Sequence, residues 1–150
     1  MNVELVPYTE EFLDLSWIWL NDPEIKSLTN TPSFTKEEQI SWFNSLPKRK
    51  DYKIWGIKLN GTPIGVCGLK NITDIDCEYW GYIGDKKHWG KGIGSKVMEL
   101  LIEYAKDKNL QSIWLTVLEK NLRAIKLYEK YGFLFETQEK NKLVKMRLAI

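Results

Sequence analysis

No stretch of this 150-residue chain approaches the roughly 20 consecutive apolar residues that a membrane-spanning helix requires. Cysteine is scarce. Cys67 and Cys77 are too few for a disulfide scaffold and do not form a CxxC pair, so each is expected to be a buried free thiol. The single histidine, His88, and two distant cysteines make no ligand set, so no metal is expected. The formal net charge is only +2, which excludes a strong global pull toward nucleic acid or a membrane surface. The opening residues Met1-Asn-Val-Glu-Leu-Val lack the basic flank and apolar core of a secretory leader, and the expectation is a cytoplasmic protein. Internal repeats, low-complexity tracts and long Ser/Gly/Pro linkers are also missing. Residues 1–150 therefore read as one domain, long enough to bury a core.

Three glycines in five residues are present, at Gly90, Gly92 and Gly94. They follow an aromatic, β-prone run and precede an apolar-periodic segment. A strand, a glycine-rich turn and a helix start in that order make a pocket for phosphate. Glycine lets backbone approach an anion without a Cβ in the way, and the first amides of a helix point outward with positive potential behind them.

The rest of the chain reads as alternating strands and helices. Residues 3–7 are expected to form a strand stopped by Pro7. A helix capped by Thr9 follows to Leu20, with Phe12, Leu13, Leu15 and Ile18 on its apolar side, and Asn21-Asp22-Pro23 breaks it. Thr35 with Glu38 is a capping-box pattern for a helix carrying Ile40, Phe43 and Leu46 and ending at Pro47. Strands are expected over 53–59, 62–69 and 75–83, the first two joined by Asn60-Gly61, a strong hairpin signal. In the third, Cys77, Tyr79, Gly81 and Ile83 share one face, and Glu78, Trp80 and Tyr82 the other. A helix over 93–108 carries Val97, Leu101, Tyr104 and Ala105 and stops at Asn109. A buried strand over 112–118, a helix over 121–131 closed by Gly132, and a hairpin of 133–137 with 143–150 complete the chain. The result is a mixed α/β layered domain of about seven strands and about four helices.

The glycine loop does not fit the commonest phosphate motifs. A P-loop needs GxxxxGK followed by Ser or Thr, and here Gly92 follows Lys91. A dinucleotide fingerprint needs GxGxxG, and the last position is Ser95 or Val97 depending on the start. The segment Trp89–Gly94 instead resembles the acyl-CoA pyrophosphate loop of the GNAT N-acetyltransferases, written Arg/Gln-x-x-Gly-x-Gly/Ala. Gly92 and Gly94 match, and Trp89 stands where Arg or Gln is usual, which removes a side-chain donor from the mouth of the loop. Downstream, Asn121, Ala124, Tyr128, Gly132 and Phe133 match every fixed position of the family's Asn-x-x-Ala-x-x-x-Tyr-x-x-x-Gly-Phe segment. The resemblance is strongest over residues 62–137.

The resemblance implies acetyl transfer from acetyl-CoA, as co-substrate, to an amine. Such chemistry needs a neutral amine, a polarised thioester carbonyl and a proton for the leaving thiolate. Glu78, eleven residues before Trp89 on the strand entering the loop, is the candidate base, with Asp74 and Asp76 as rivals; its aromatic neighbours Trp80 and Tyr82 are expected to raise its pKa. The resemblance makes Tyr128 the candidate acid, although the bare spacing also suits a core tyrosine, and Tyr131 is the second choice. Asn121 is a helix cap that in the family also reaches the pantetheine arm or ordered water. The expected cofactor contacts are Tyr82, Ile83, Gly84, Trp89, Gly90, Lys91, Gly92, Ile93, Gly94, Ser95, Asn121, Tyr128 and Lys130, with Lys86 and Lys87 nearby. His88 lies in the cofactor loop, where a base for the acceptor is not expected.

The acceptor is less legible. Residues 19–24, 35–38, Trp42-Phe43 and 64–72 resemble the branch of the family holding ribosomal-protein N-terminal and nucleotide-aminosugar acetyltransferases. Trp42, Trp80 and Trp89 are candidates for a wall that stacks a sugar or base. No acidic cluster in residues 25–50 suggests an aminoglycoside site. The expectation is a small amine acceptor, an aminosugar first, bound by a monomer or homodimer. A protein N-terminal acetyltransferase and a non-catalytic acyl-CoA-binding domain are the alternatives.

Overall fold

The computed structural model describes residues 1–150. Seven strands form one sheet: β1 (Val3–Pro7), β2 (Lys53–Leu59), β3 (Thr62–Lys70), β4 (Asp76–Ile83), β5 (Ser112–Leu118), β6 (Leu134–Gln138) and β7 (Leu143–Ala149). Their order is β1-β2-β3-β4-β5-β7-β6, all antiparallel except the parallel β4–β5 pair. The helices are α1 (Glu10–Leu20), α2 (Pro23–Leu28), α3 (Lys36–Ser45), α4 (Ile93–Asp107) and α5 (Leu122–Lys130).

Local chemistry accounts for most of these boundaries. Asn60 and Gly61 both have positive φ (50° and 86°), which two tight-turn positions between β2 and β3 require. Thr35 Oγ1 accepts from the Glu38 amide while Glu38 returns a bond to the Thr35 amide, so the capping box of α3 is complete. Asn121 Oδ1 accepts from the Ala124 amide and caps α5.

Four expectations need correction. Helix α2 was not expected: Asp22-Pro23, read as a breaker, is a helix start. Asp22 Oδ1 accepts from the amides of Glu24 and Ile25, and proline suits a first-turn position whose N–H has no partner. Thr9 precedes α1 but makes no side-chain cap. On α1, Ile18 is exposed, and the buried polar position is Ser16, hydrogen-bonded to Tyr8. Helix α3 ends at Ser45, and Leu46–Lys48 is a 3-10 turn, so Leu46 is not part of the α-helix.

The two faces of the sheet differ. One packs on α4 and α5 through the main core, in which Ile64, Cys67, Leu69, Cys77, Met98, Leu101, Ala105 and Ile113 are fully buried. Both cysteines are buried and free, as expected. The other face is covered by α1 and α3 only over β1–β4. There Tyr8, Trp42, Tyr52, Trp80, Tyr82 and Trp19 form a chain of rings with successive centroids 5.8 to 6.5 Å apart. Beyond β4 that face is open and polar: Arg147 donates to Glu136, Asp76 and Ser112, and Lys145 lies over the Trp114 ring. β5, expected as a buried strand, is fully buried on one face and half-buried on the other.

Candidate active site

The site begins with a fault in the sheet. β4 and β5 pair only at Asp76–Ser112, Cys77–Ile113 and Glu78–Trp114, although both strands run on for four or more residues. Past Glu78 the β4 backbone keeps its β3 partner and has no β5 partner. Unpaired strand backbone is an array of donors and acceptors that a ligand's amides can meet. A cavity of about 750 Å³ occupies this gap and is lined by residues from both faces of the sheet.

One wall is the glycine loop and the first turn of α4. Gly90 and Gly92 sit at φ of +74° and +80° with open space where a Cβ would project. Gly92 is the N-cap of α4 and supplies no side-chain acceptor, so the first-turn amides are free for an outside one. Gly94 lets α5 approach, since a Cβ there would lie 3.2 Å from Leu127 Cδ2. Neither α4 nor α5 carries an acidic residue in its first turn, whereas α1, α2 and α3 all do. This end of the cavity suits an anion.

Of the residues expected from sequence, Glu78, Tyr82, Ile83, Trp89, Gly90, Gly92, Ile93, Gly94, Ser95, Asn121 and Tyr128 line the cavity. Gly84, Lys91 and Lys130 do not. Gly84 is buried under Trp19, whose Cδ2 would stand 2.1 Å from a Cβ, and its amide donates to the Ile64 carbonyl oxygen at 2.7 Å. Lys91 is exposed, and Lys130 reaches Ser95 Oγ at 3.4 Å outside the cavity. Lys86 is tied to Asp22 and Glu24 at 2.8 and 3.1 Å, which anchors α2 to the loop. Lys87 pairs with Asp85, and His88 lies at the loop end, 3.7 Å from Asp85 Oδ2.

Glu78 and Tyr128 enter from opposite faces. Glu78 belongs to the aromatic face, with its side chain about 10% exposed. Asn71 Nδ2 donates to Glu78 Oε1 at 2.8 Å, and Lys70 Nζ stands 3.9 Å from Oε2. The carboxylate's polar partners, unforeseen from sequence, are these two residues of the β3 end. Its rivals are placed elsewhere: Asp76 is held by Arg147 and Thr73, and Asp74 is exposed. Tyr128 lies on the helical face, its ring between Tyr79 (centroids 6.0 Å) and Phe133 (5.7 Å). Its hydroxyl makes no hydrogen bond within the protein, and burial pushes its pKa up to about 12. Tyr131 is spent, its hydroxyl bonded to the Ser95 carbonyl oxygen and Glu99.

Residues 14–133 match the acetyltransferase (GNAT) family. The chain belongs to the GNAT acetyltransferases. The curated relatives it matches are covered only in part, the aligned stretches spanning 26%, 24% and 34% of the first three. Among solved structures it is similar to a domain from Methanocaldococcus jannaschii, 25% identical with 99% of each chain covered and a TM-score of 0.88. The Campylobacter jejuni N-acetyltransferase PseH in complex with acetyl coenzyme A shares the fold at a TM-score of 0.76, 21% identity and 99% coverage of each chain. A Vibrio cholerae spermidine N-acetyltransferase in complex with CoA and spermine shares it at 0.88, 20% identity and coverage of 98% and 95%.

The GNAT cavity also includes residues that sequence reasoning missed. Arg123, in the first turn of α5, lines it and lies over the Trp89 ring at 5.3 Å. Lys70 and Tyr52 line it as well, as do Ile25, Leu28 and residues 29–32. None carries a local motif; each is brought in by tertiary packing. Trp80 and Trp89 line the cavity, whereas Trp42 stands behind Tyr52.

Proposed function

We propose that this GNAT domain transfers an acetyl group from acetyl-CoA to the primary amine of a small molecule, an aminosugar carried on a nucleotide being the preferred acceptor. The observation that carries this is the strand gap, with a carboxylate on one face of the sheet and an unpaired tyrosine hydroxyl on the other, opening into one cavity.

Bound acetyl-CoA supplies a thioester carbonyl and a sulfur leaving group. The loop amides from Gly90 to Ser95 face the diphosphate, the Trp89 amide being spent on the Lys86 carbonyl oxygen, and the β4 backbone beyond Glu78, as far as Tyr82, faces the pantetheine amides. Asn121, free to use its amide N–H₂ while its oxygen caps α5, serves the same arm. Glu78 takes a proton from the acceptor ammonium, whose unperturbed pKa near 10.4 leaves it charged in neutral water. The amine lone pair then forms the new C–N bond, the C–S bond breaks, Tyr128 gives the sulfur its proton, and the second proton shed by the new amide nitrogen passes through solvent to restore Tyr128. A tyrosine kept neutral by burial is suited to that role.

The acceptor end supports an amine with few charges. Tyr52, Trp80 and Tyr82 form an aromatic floor, and Asn30 lines the cavity between Thr29 and Thr31, whose hydroxyls bond each other. The one carboxylate there is partnered by Lys70, and no cluster of acidic groups is present. A polyamine or an aminoglycoside, with several ammonium groups, calls for several carboxylates. The test is an acceptor panel of nucleotide-linked aminosugars, spermidine, an aminoglycoside and N-terminal peptides, read as amine-dependent release of free CoA thiol. Turnover of the aminosugars above the rest is expected; faster turnover of spermidine or a peptide overturns the acceptor class, and no release with any amine favours the non-catalytic reading.

A further inference from the structure

We infer that Arg123, mounted on the face of Trp89, is the side-chain clamp for the diphosphate of CoA in this chain, taking over the duty of the cation or amide usual at position 89. The inference rests on reading the Trp89–Ser95 loop as the diphosphate cradle.

Three observations converge on Arg123. The Trp89 indole N–H is already committed, donating to the Ile83 carbonyl oxygen at 2.8 Å, so Trp89 offers the loop no side-chain donor. That bond instead fixes the ring as a plate. The Arg123 guanidinium carbon stands 5.3 Å from its centroid, within cation–π range, while Arg123 lines the cavity. A guanidinium stacked on a ring keeps its N–H fork free in its own plane, the geometry that grips two phosphate oxygens at once. Finally, Arg123 has no carboxylate partner, although Arg49 and Arg147 both do. It also sits in the first turn of α5, where the helix dipole opposes a cation and no acidic neighbour relieves it. Arg123 is exposed at the rim of the cavity, where a bound dianionic diphosphate gives it a counter-charge.

The loop lysines are poorer candidates. Lys86 and Lys87 are paired with carboxylates, and Lys91 and Lys130 lie outside the cavity. The Trp89–Arg123 pair is thus a two-residue substitute, with the charge arriving from α5 rather than from the loop.

The test is calorimetric titration of CoA and dephospho-CoA into wild type, R123A, R123K, W89L and G92V, with melting curves to establish folding. R123A is expected to weaken both ligands alike by at least about tenfold, the scale of a charge-assisted hydrogen bond. R123K recovers only part, because ammonium does not reproduce the fork, and W89L loses about threefold through the lost plate. CoA affinity unchanged in R123A overturns the inference. So does a loss seen with CoA but absent with dephospho-CoA, which assigns Arg123 to the 3′-phosphate. If folded G92V binds CoA like wild type, the loop reading itself fails; if G92V is defective and R123A is not, only the role of Arg123 fails.

Discussion

Asn71 Nδ2 donates to Glu78 Oε1 at 2.8 Å, tying the turn after β3 to the carboxylate that lines the cavity. Asn71 adopts a positive φ of 49°, a conformation asparagine tolerates better than most residues, so one side chain both closes the turn and aims the carboxylate. Replacing Glu78 by Gln keeps the size and removes the proposed base. Turnover is expected to fall by about 100-fold or more with acetyl-CoA affinity retained. Steady-state rates beside a calorimetric Kd check this, and wild-type turnover contradicts it. Asn71→Ala is expected to lower turnover less than Glu78→Gln.

Tyr128→Phe removes only a hydroxyl that no protein group binds. Turnover should drop far more than acetyl-CoA affinity. Because burial holds this hydroxyl near pKa 12, the wild-type rate should show no alkaline loss attributable to Tyr128 below about pH 11. An ionisation near pH 9 that vanishes in the Phe variant contradicts the assignment.

Burial also links stability to alkaline pH. Tyr8 and Tyr128 are raised from 10.0 to about 12 and Cys77 from 9.0 to about 12, and Tyr52, Tyr79 and Tyr82 are raised as well. A folded-state pKa above the unfolded value contributes stability that is complete below the unfolded pKa and is lost as pH rises toward the folded one. Urea midpoints should therefore be steady below about pH 8.5 and fall between roughly pH 9 and 12. A flat profile to pH 11 contradicts the burial of these groups.

Gly84→Ala should destabilise the fold by about 1–3 kcal/mol, since a Cβ would stand 2.1 Å from Trp19 Cδ2. Trp19 anchors α1 against the start of the glycine loop, and denaturant melts measure the cost. Gly61→Ala, in open space but at φ +86°, separates backbone strain from steric clash.

Much of this architecture was legible locally. Period-two alternation marked β4 and placed Glu78 opposite Tyr79, Asn60-Gly61 announced a hairpin through its tolerance of positive φ, and Thr35–Glu38 announced a helix through its own hydrogen bonds. The spacing from Asn121 to Phe133 carried the family. What escaped was short or long-range. The six residues of α2 are too few for periodicity, and their start signal doubles as a breaker. Lys70 and Asn71 reach Glu78 only through β3–β4 pairing, and Arg123 meets Trp89 only when α5 docks beside the loop. The β4–β5 gap has no sequence signature, because it consists of hydrogen bonds that are not made.

The most direct test of the central claim is a crystal structure of the chain with acetyl-CoA. The diphosphate should lie on the amides of Gly90–Ser95, the pantetheine arm along β4 beyond Glu78, and the thioester in the β4–β5 gap between Glu78 and Tyr128. A diphosphate bound elsewhere, or a thioester outside the gap, contradicts the claim.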